Sequence, residues 1–121
     1  MSQLMTPSLA AEAMNYPAFV ESLFVKNNKG SDGLLHATIG IAGEAGELLD
    51  AIKKHWVYGK PLDIDNVVEE LGDIEFYCQA LRSLIGRPRL QILEANVTKL
   101  RKRYPAGYTD AHAAARLDKV E

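Results

Sequence analysis

From Ser8 onward apolar side chains recur every three or four residues, and breakers divide that pattern into four helical segments and a tail. The first segment runs from about Ser8 to Val25 and is disturbed at Pro17, which lacks an amide donor and so kinks or restarts the helix. KNNKGSDG follows as a loop, with Ser31 or Asp32 able to cap a second helix that runs to about His55. The turn YGKPLD, Tyr58 to Asp63, leads to a third helix capped by Asp63 or Asp65 and reaching about Ile85. Gly86 to Pro88 ends it, and a fourth helix extends to Tyr104, before Pro105. The tail, AGYTDAHAAARLDKVE, is weakly patterned: a short helix packed on a partner, or a partly disordered segment. No run alternates with period two, so the expected fold is all-α, a four-helix bundle forming one domain over residues 1–121.

On a helical wheel at about 100° per residue, Leu34, Ile41, Ala45, Leu48 and Ile52 share one apolar sector of the second helix, with Glu44 and Glu47 together on its flank. The third helix repeats the arrangement, with Val67, Leu71, Ile74, Cys78 and Leu81 as its sector and Glu70, Asp73 and Tyr77 on the corresponding flank. The repetition is also literal, since EAGEL at Glu44 returns as ELGDI at Glu70. Each copy holds a helix-interior glycine, at a cost of about 1 kcal/mol relative to alanine, and two acids that repel across one turn. If the two helices pack antiparallel through these sectors, four carboxyl groups converge, which is unfavourable without cations.

Hard divalent cations take oxygen ligands, so Glu44, Glu47, Glu70 and Asp73 are the candidate metal ligands, and Mg²⁺ with its preference for phosphate oxygens points to a phosphorylated substrate. The competing explanation is two solvated helix surfaces, which matched flanks on two helices make less economical. A ferritin-like di-iron site needs E-x-x-H on paired helices and finds no histidine three residues after a glutamate; His36, His55 and His112 form no zinc set either. On the fourth helix Leu93, Val97, Leu100 and Tyr104 form the apolar sector, with Asn96, Lys99 and Arg103 on one flank. Opposite the acids these would grip a polyphosphate, although KLRKRY is also what a solvent-facing helix end carries against its dipole. Tyr77 is placed either to pack or to stack on a base or orient a phosphate, Lys54 projects along the side of Glu47 as a candidate substrate contact, and Trp56 suits an anchor against a neighbouring subunit.

Composition narrows the classes. Hydrophobic residues at 47% and charged ones at 25% are ordinary for a soluble globular chain, and a net charge of −2 gives no footprint for a polyanion partner. A small domain with apolar residues such as Ile39, Ala42 and Leu49 outside the bundle sector gains from self-association, so a homodimer or homotetramer is expected. The single cysteine, Cys78, lies in an apolar run and suits a reducing cytoplasm, and no secretory leader or membrane span is legible.

The combined pattern resembles the all-α nucleoside triphosphate pyrophosphohydrolases, in particular short single-domain MazG-like proteins of phage and bacteria. The likeness lies in Glu44-x-x-Glu47, a spacer of twenty-two residues, Glu70-x-x-Asp73 and then NVTKLRKRYPAGY, covering about Leu34 to Tyr108. It implies that the four acids bind Mg²⁺ or Mn²⁺, that Tyr77, Asn96 and Lys99 approach the nucleotide, and that subunits associate as dimers or pairs of dimers. Gly43 stands where many relatives carry a further acid. The expected reaction is hydrolysis of a (d)NTP, with a purine such as dGTP favoured, to the monophosphate and pyrophosphate. Glu47 and Glu44 are the expected catalytic acids, Glu47 both ligating metal and taking the water proton, with Lys99 and Arg103 on the outer phosphates. The alternatives are a dUTP- or dCTP-directed enzyme, a phosphoribosyl-ATP pyrophosphohydrolase, and a helical adaptor that binds nucleotide or a partner without turnover.

Overall fold

The computed structural model describes residues 8–119, and among these every regular element is helical. The six α-helices are α1 (Leu9–Met14), α2 (Tyr16–Leu23), α3 (Gly30–Trp56), α4 (Ile64–Ile85), α5 (Arg89–Arg103) and α6 (Asp110–Ala115). Among the described residues no helix is long and apolar enough to cross a membrane. The chain divides into two compact units, the first ending at Gly86 and the second starting at Arg87.

In the first unit, Ser8 caps α1 by accepting from the Ala11 amide, and the expected break near Pro17 appears at Asn15. Proline then occupies the first turn of α2, where its missing donor costs no helical bond. Val20, Phe24 and Val25 at the end of this segment are buried with Ala37 of α3 and Ala80 of α4. Phe24 is the hub, meeting Phe76 and Tyr77 edge-on with centroids 6.0 Å away and His36 at 4.8 Å. The return into α3 departs from expectation: neither Ser31 nor Asp32 caps it. The helix starts at Gly30, whose φ of 77° turns the chain in a conformation L side chains disfavour, and Lys29 precedes it without a side-chain cap. Gly33 is needed next, because a Cβ there would lie 1.7 Å from the Asn28 carbonyl oxygen.

The α3–α4 hairpin dominates this unit. Its antiparallel sense follows from the contacts, since Gly33 approaches Leu84, Gly40 approaches Tyr77, and Glu44 meets Glu70 and Asp73. Asp63 caps α4 by accepting from the Asn66 amide, and Gly86 closes it in the left-handed conformation, both as the sequence predicts. The inward face of α3, however, is turned from the predicted sector. Gly33, Ala37 and Ala51 are buried and Gly40, Ile41, Glu44 and Leu48 half-buried, whereas Leu34, Ala45 and Ile52 are exposed. On α4, Val67, Ile74, Cys78 and Leu81 are half-buried as predicted, but Leu71 is 52% exposed. Small residues let the helices approach closely and aromatic rings fill the seam, so residue size, more than hydropathy, chose the buried face. Glu44 and Glu70 consequently stand within the seam with Asp73 beside them, while Glu47 is left exposed.

In the second unit, α5 follows Pro88 and ends at Tyr104, and Leu93, Val97 and Leu100 of its apolar sector are exposed. Beyond it the Tyr104 and Tyr108 rings pack at a tilt of 49° with centroids 4.9 Å apart, and Thr109 caps α6 by accepting from the His112 amide. The tail thus contains the short helix that was one of its two expected forms. A single turn of 3-10 helix, Leu117–Lys119, brings Asp118 back to Arg103.

Candidate metal centre in the helical hairpin

One carboxylate oxygen from each of Glu44, Glu70 and Asp73 lies within 4.8 Å of the others, a spacing at which a single cation can be shared. Glu70 is the most enclosed of them, at 9% exposure, and its Oε2 is buried with no hydrogen-bond partner. Burial first, then a hydrogen bond with Glu44 and the charges of Glu44, Asp73 and Glu47, push its carboxyl up to about 7. An orphaned buried oxygen among like-charged oxygens fits a hard cation: the ion supplies the missing partner and removes the repulsion. The structure therefore places a possible metal site of acidic residues at the middle of the hairpin.

Glu47 is not part of that triad. One turn beyond Glu44 and about 60° round the helix, it is exposed, though near enough for its charge to act on Glu70. Tyr77 is near the acids in sequence, yet its ring is packed in the core against Gly40, Phe24 and Phe76. Lys54 pairs with Asp50 on the exposed side of α3, with Nζ 3.2 Å from Oδ2. Asn96 and Lys99 are exposed on α5, and Arg103, half-buried on the same flank, donates from Nε to Asp118. His36 and His55 are engaged locally, with Asn28 and the Lys60 carbonyl respectively.

Two features lay outside the sequence reading. Gly40 is the glycine the hairpin needs, while Gly43, Gly46 and Gly72 would each accept a Cβ with nothing within 4 Å. Tyr16 of α2 feels the acidic face as well: its hydroxyl is pushed up by burial, then by the charges of Glu75 and Asp73. No periodic signal marks either residue, since both depend on which helix lies opposite. A shallow groove on α1 and α2, lined by Ala11, Glu12, Asn15, Phe19 and Ser22 among others, holds none of Glu44, Glu47, Glu70 and Asp73.

The raised Glu70 carboxyl gives a testable pH dependence for the metal-free protein. The unfolded chain loses this proton near 4.5 and the folded chain only near 7, so the folded state binds more protons between those values. Its contribution is fully present below the lower value and is lost as pH rises through the upper one. Thermal midpoints in EDTA should fall between pH 5 and pH 7, and Glu70→Gln should flatten that slope. A midpoint that rises across the window in wild type and variant alike would contradict the assignment.

Comparison with known proteins places this geometry in context. Residues 34–108 match the family model described as the MazG nucleotide pyrophosphohydrolase domain, a span that contains both acidic motifs and the Asn96 to Arg103 flank. No curated protein and no solved structure is significantly similar to the chain.

Proposed function

The chain belongs to the family of MazG nucleotide pyrophosphohydrolase domains, a family of hydrolases, and on that premise we propose that it cleaves a nucleoside or deoxynucleoside triphosphate to the monophosphate and pyrophosphate. The observation that carries this reading is the convergence of Glu44, Glu70 and Asp73 around a buried, unpartnered oxygen. Mg²⁺, or Mn²⁺ in its place, would there neutralise charge at the α-phosphate and make a water more acidic. Glu44, Glu70 and Asp73 would hold and orient the ion, and its charge would keep Glu70 ionised. Glu47, exposed beside the triad, is the group that accepts the proton of the attacking water. Lys99 and Arg103, with Asn96 on the same helical flank, take the outer phosphates as pyrophosphate leaves. Tyr77 serves by fixing the spacing of the hairpin, because its ring is committed to Gly40 and the core.

A purine deoxynucleotide such as dGTP is the leading substrate. The eight common NTPs and dNTPs, assayed for pyrophosphate with Mg²⁺ and with Mn²⁺, test the reading. Metal-dependent release from at least one of them is expected, the preferred base separating purine from dUTP- or dCTP-directed activity. Binding without pyrophosphate from any of the eight, or from phosphoribosyl-ATP, would instead show a non-catalytic adaptor.

We also propose that the active form is a homodimer or homotetramer. Ile39, Leu49 and Val68 stand 59%, 67% and 62% exposed on the hairpin, and a second copy would cover such residues. Light scattering should report two or four chains at micromolar concentration; a stable monomer would contradict this.

A further inference from the structure

Arg103 ends α5 with its side chain only 16% exposed, and Asp118, fifteen residues on, is 4% exposed. Nε of Arg103 donates to Oδ1 of Asp118 at 2.8 Å. The second oxygen, Oδ2, is buried without a hydrogen-bond partner, and the Lys119 ammonium stands 3.9 Å from it. An arginine used only to fasten a tail is best served by the two-pronged pairing with a carboxylate, which is both stronger and more rigid. Here the carboxylate takes one edge, and among the described residues no second carboxylate pairs with the terminal nitrogens. The guanidinium is held on another side too: its carbon lies 5.9 Å from the centre of the Tyr104 ring, which in turn packs at a tilt against the Tyr108 ring. Held this way, by Asp118 and by a hydrogen bond to the Tyr104 side chain, the guanidinium has given up its rotamer freedom before any ligand arrives, and its fork of five donors exceeds what these two partners take.

We infer that Asp118 is a positioning residue: by fixing the Nε edge of Arg103 it presents the terminal nitrogens to a polyphosphate, on the flank shared with Asn96 and Lys99. This rests on the triphosphate reading above, so the experiment separates the two. Binding of inorganic tripolyphosphate with Mg²⁺ is measured by calorimetry, together with thermal midpoints, for wild type, Arg103→Ala, Asp118→Asn and Asp118→Glu. Arg103→Ala and Asp118→Asn should each weaken binding by about tenfold or more, with Asp118→Glu recovering most of the loss. An Asp118→Asn variant that melts lower yet binds as wild type does would show that Asp118 merely fastens the tail. One that binds more tightly would make Asp118 a competitor of the ligand; either result overturns the inference and leaves the triphosphate reading intact. Wild-type binding by Arg103→Ala would instead remove the guanidinium from the phosphate site proposed above, and the inference with it. Should Asp118→Asn fail to fold, the wild type still decides by nitrogen-15 NMR. The Arg103 Nε–H should stay protected from exchange as tripolyphosphate shifts the terminal nitrogens, and loss of that protection on binding would overturn the inference.

Discussion

Asp73→Ala is expected to lower metal-dependent pyrophosphate release by at least about a thousandfold, the equivalent of roughly 4 kcal/mol in the barrier. Asp73 supplies one of three oxygens that lie within 4.8 Å of one another, so its loss leaves two ligands for an ion that needs a fixed position against the α-phosphate. The fold should not suffer. Asp73 is among the charges that push the Glu70 carboxyl up, and removing it relieves repulsion in the metal-free hairpin. The thermal midpoint in EDTA should therefore hold or rise, although Mn²⁺ should stabilise the variant less than the wild type. Turnover close to wild type, with the midpoint unchanged, would remove Asp73 from the metal centre.

Gly40→Ala should destabilise the protein, in spite of alanine's higher helix propensity. A Cβ at this position would lie 2.4 Å from both Cγ and Cδ1 of Tyr77. The ring has little room to retreat, because Phe76 and Phe24 meet it edge-on with centroids 5.2 and 6.0 Å away. Overpacking of this kind costs about 1–3 kcal/mol, more than the roughly 1 kcal/mol that the propensity change returns. A midpoint several degrees lower is expected, accompanied by weaker Mn²⁺ binding, since separating α3 from α4 also separates Glu44 from Glu70 and Asp73. Gly43→Ala is the control. Nothing lies within 4 Å of its Cβ, so the same chemical change there should leave the metal-free midpoint unchanged or raise it. Introducing Tyr77→Leu into the Gly40→Ala protein should recover part of the loss, as expected for residues in contact. A Gly40→Ala protein melting at or above the wild-type temperature would contradict the close approach.

Features set by local chemistry were readable from the chain. Pro17 breaks the first segment, Asp63 caps α4, Gly86 closes it, and the helix before Pro105 stops where the sequence says, because each depends only on neighbours a few residues away. The start of α3 was misread since Ser31 and Asp32 are sound caps in isolation, but Gly30 and the crossing of Gly33 over Asn28 turn the chain earlier. Its rotation was misread for a related reason. A wheel rewards the large apolar residues Leu34 and Ile52, whereas the helix opposite requires small ones at Ala37 and Gly40. Of the site, the literal repeat announced Glu44, Glu70 and Asp73, and their convergence needed only an antiparallel hairpin. The separation of Glu47 from the triad follows from that unforeseen rotation. The pairing of Arg103 with Asp118 joins residues fifteen apart through a tail whose pattern was too weak to place it.

Hydrolysis of the preferred nucleotide in ¹⁸O-labelled water, followed by mass spectrometry of both products, bears most directly on whether the acids of the hairpin direct water to the α-phosphate. The label should appear in the nucleoside monophosphate and be absent from the pyrophosphate, with incorporation lost in EDTA and restored by Mg²⁺. Label in the pyrophosphate, or incorporation that proceeds equally in EDTA, would contradict it.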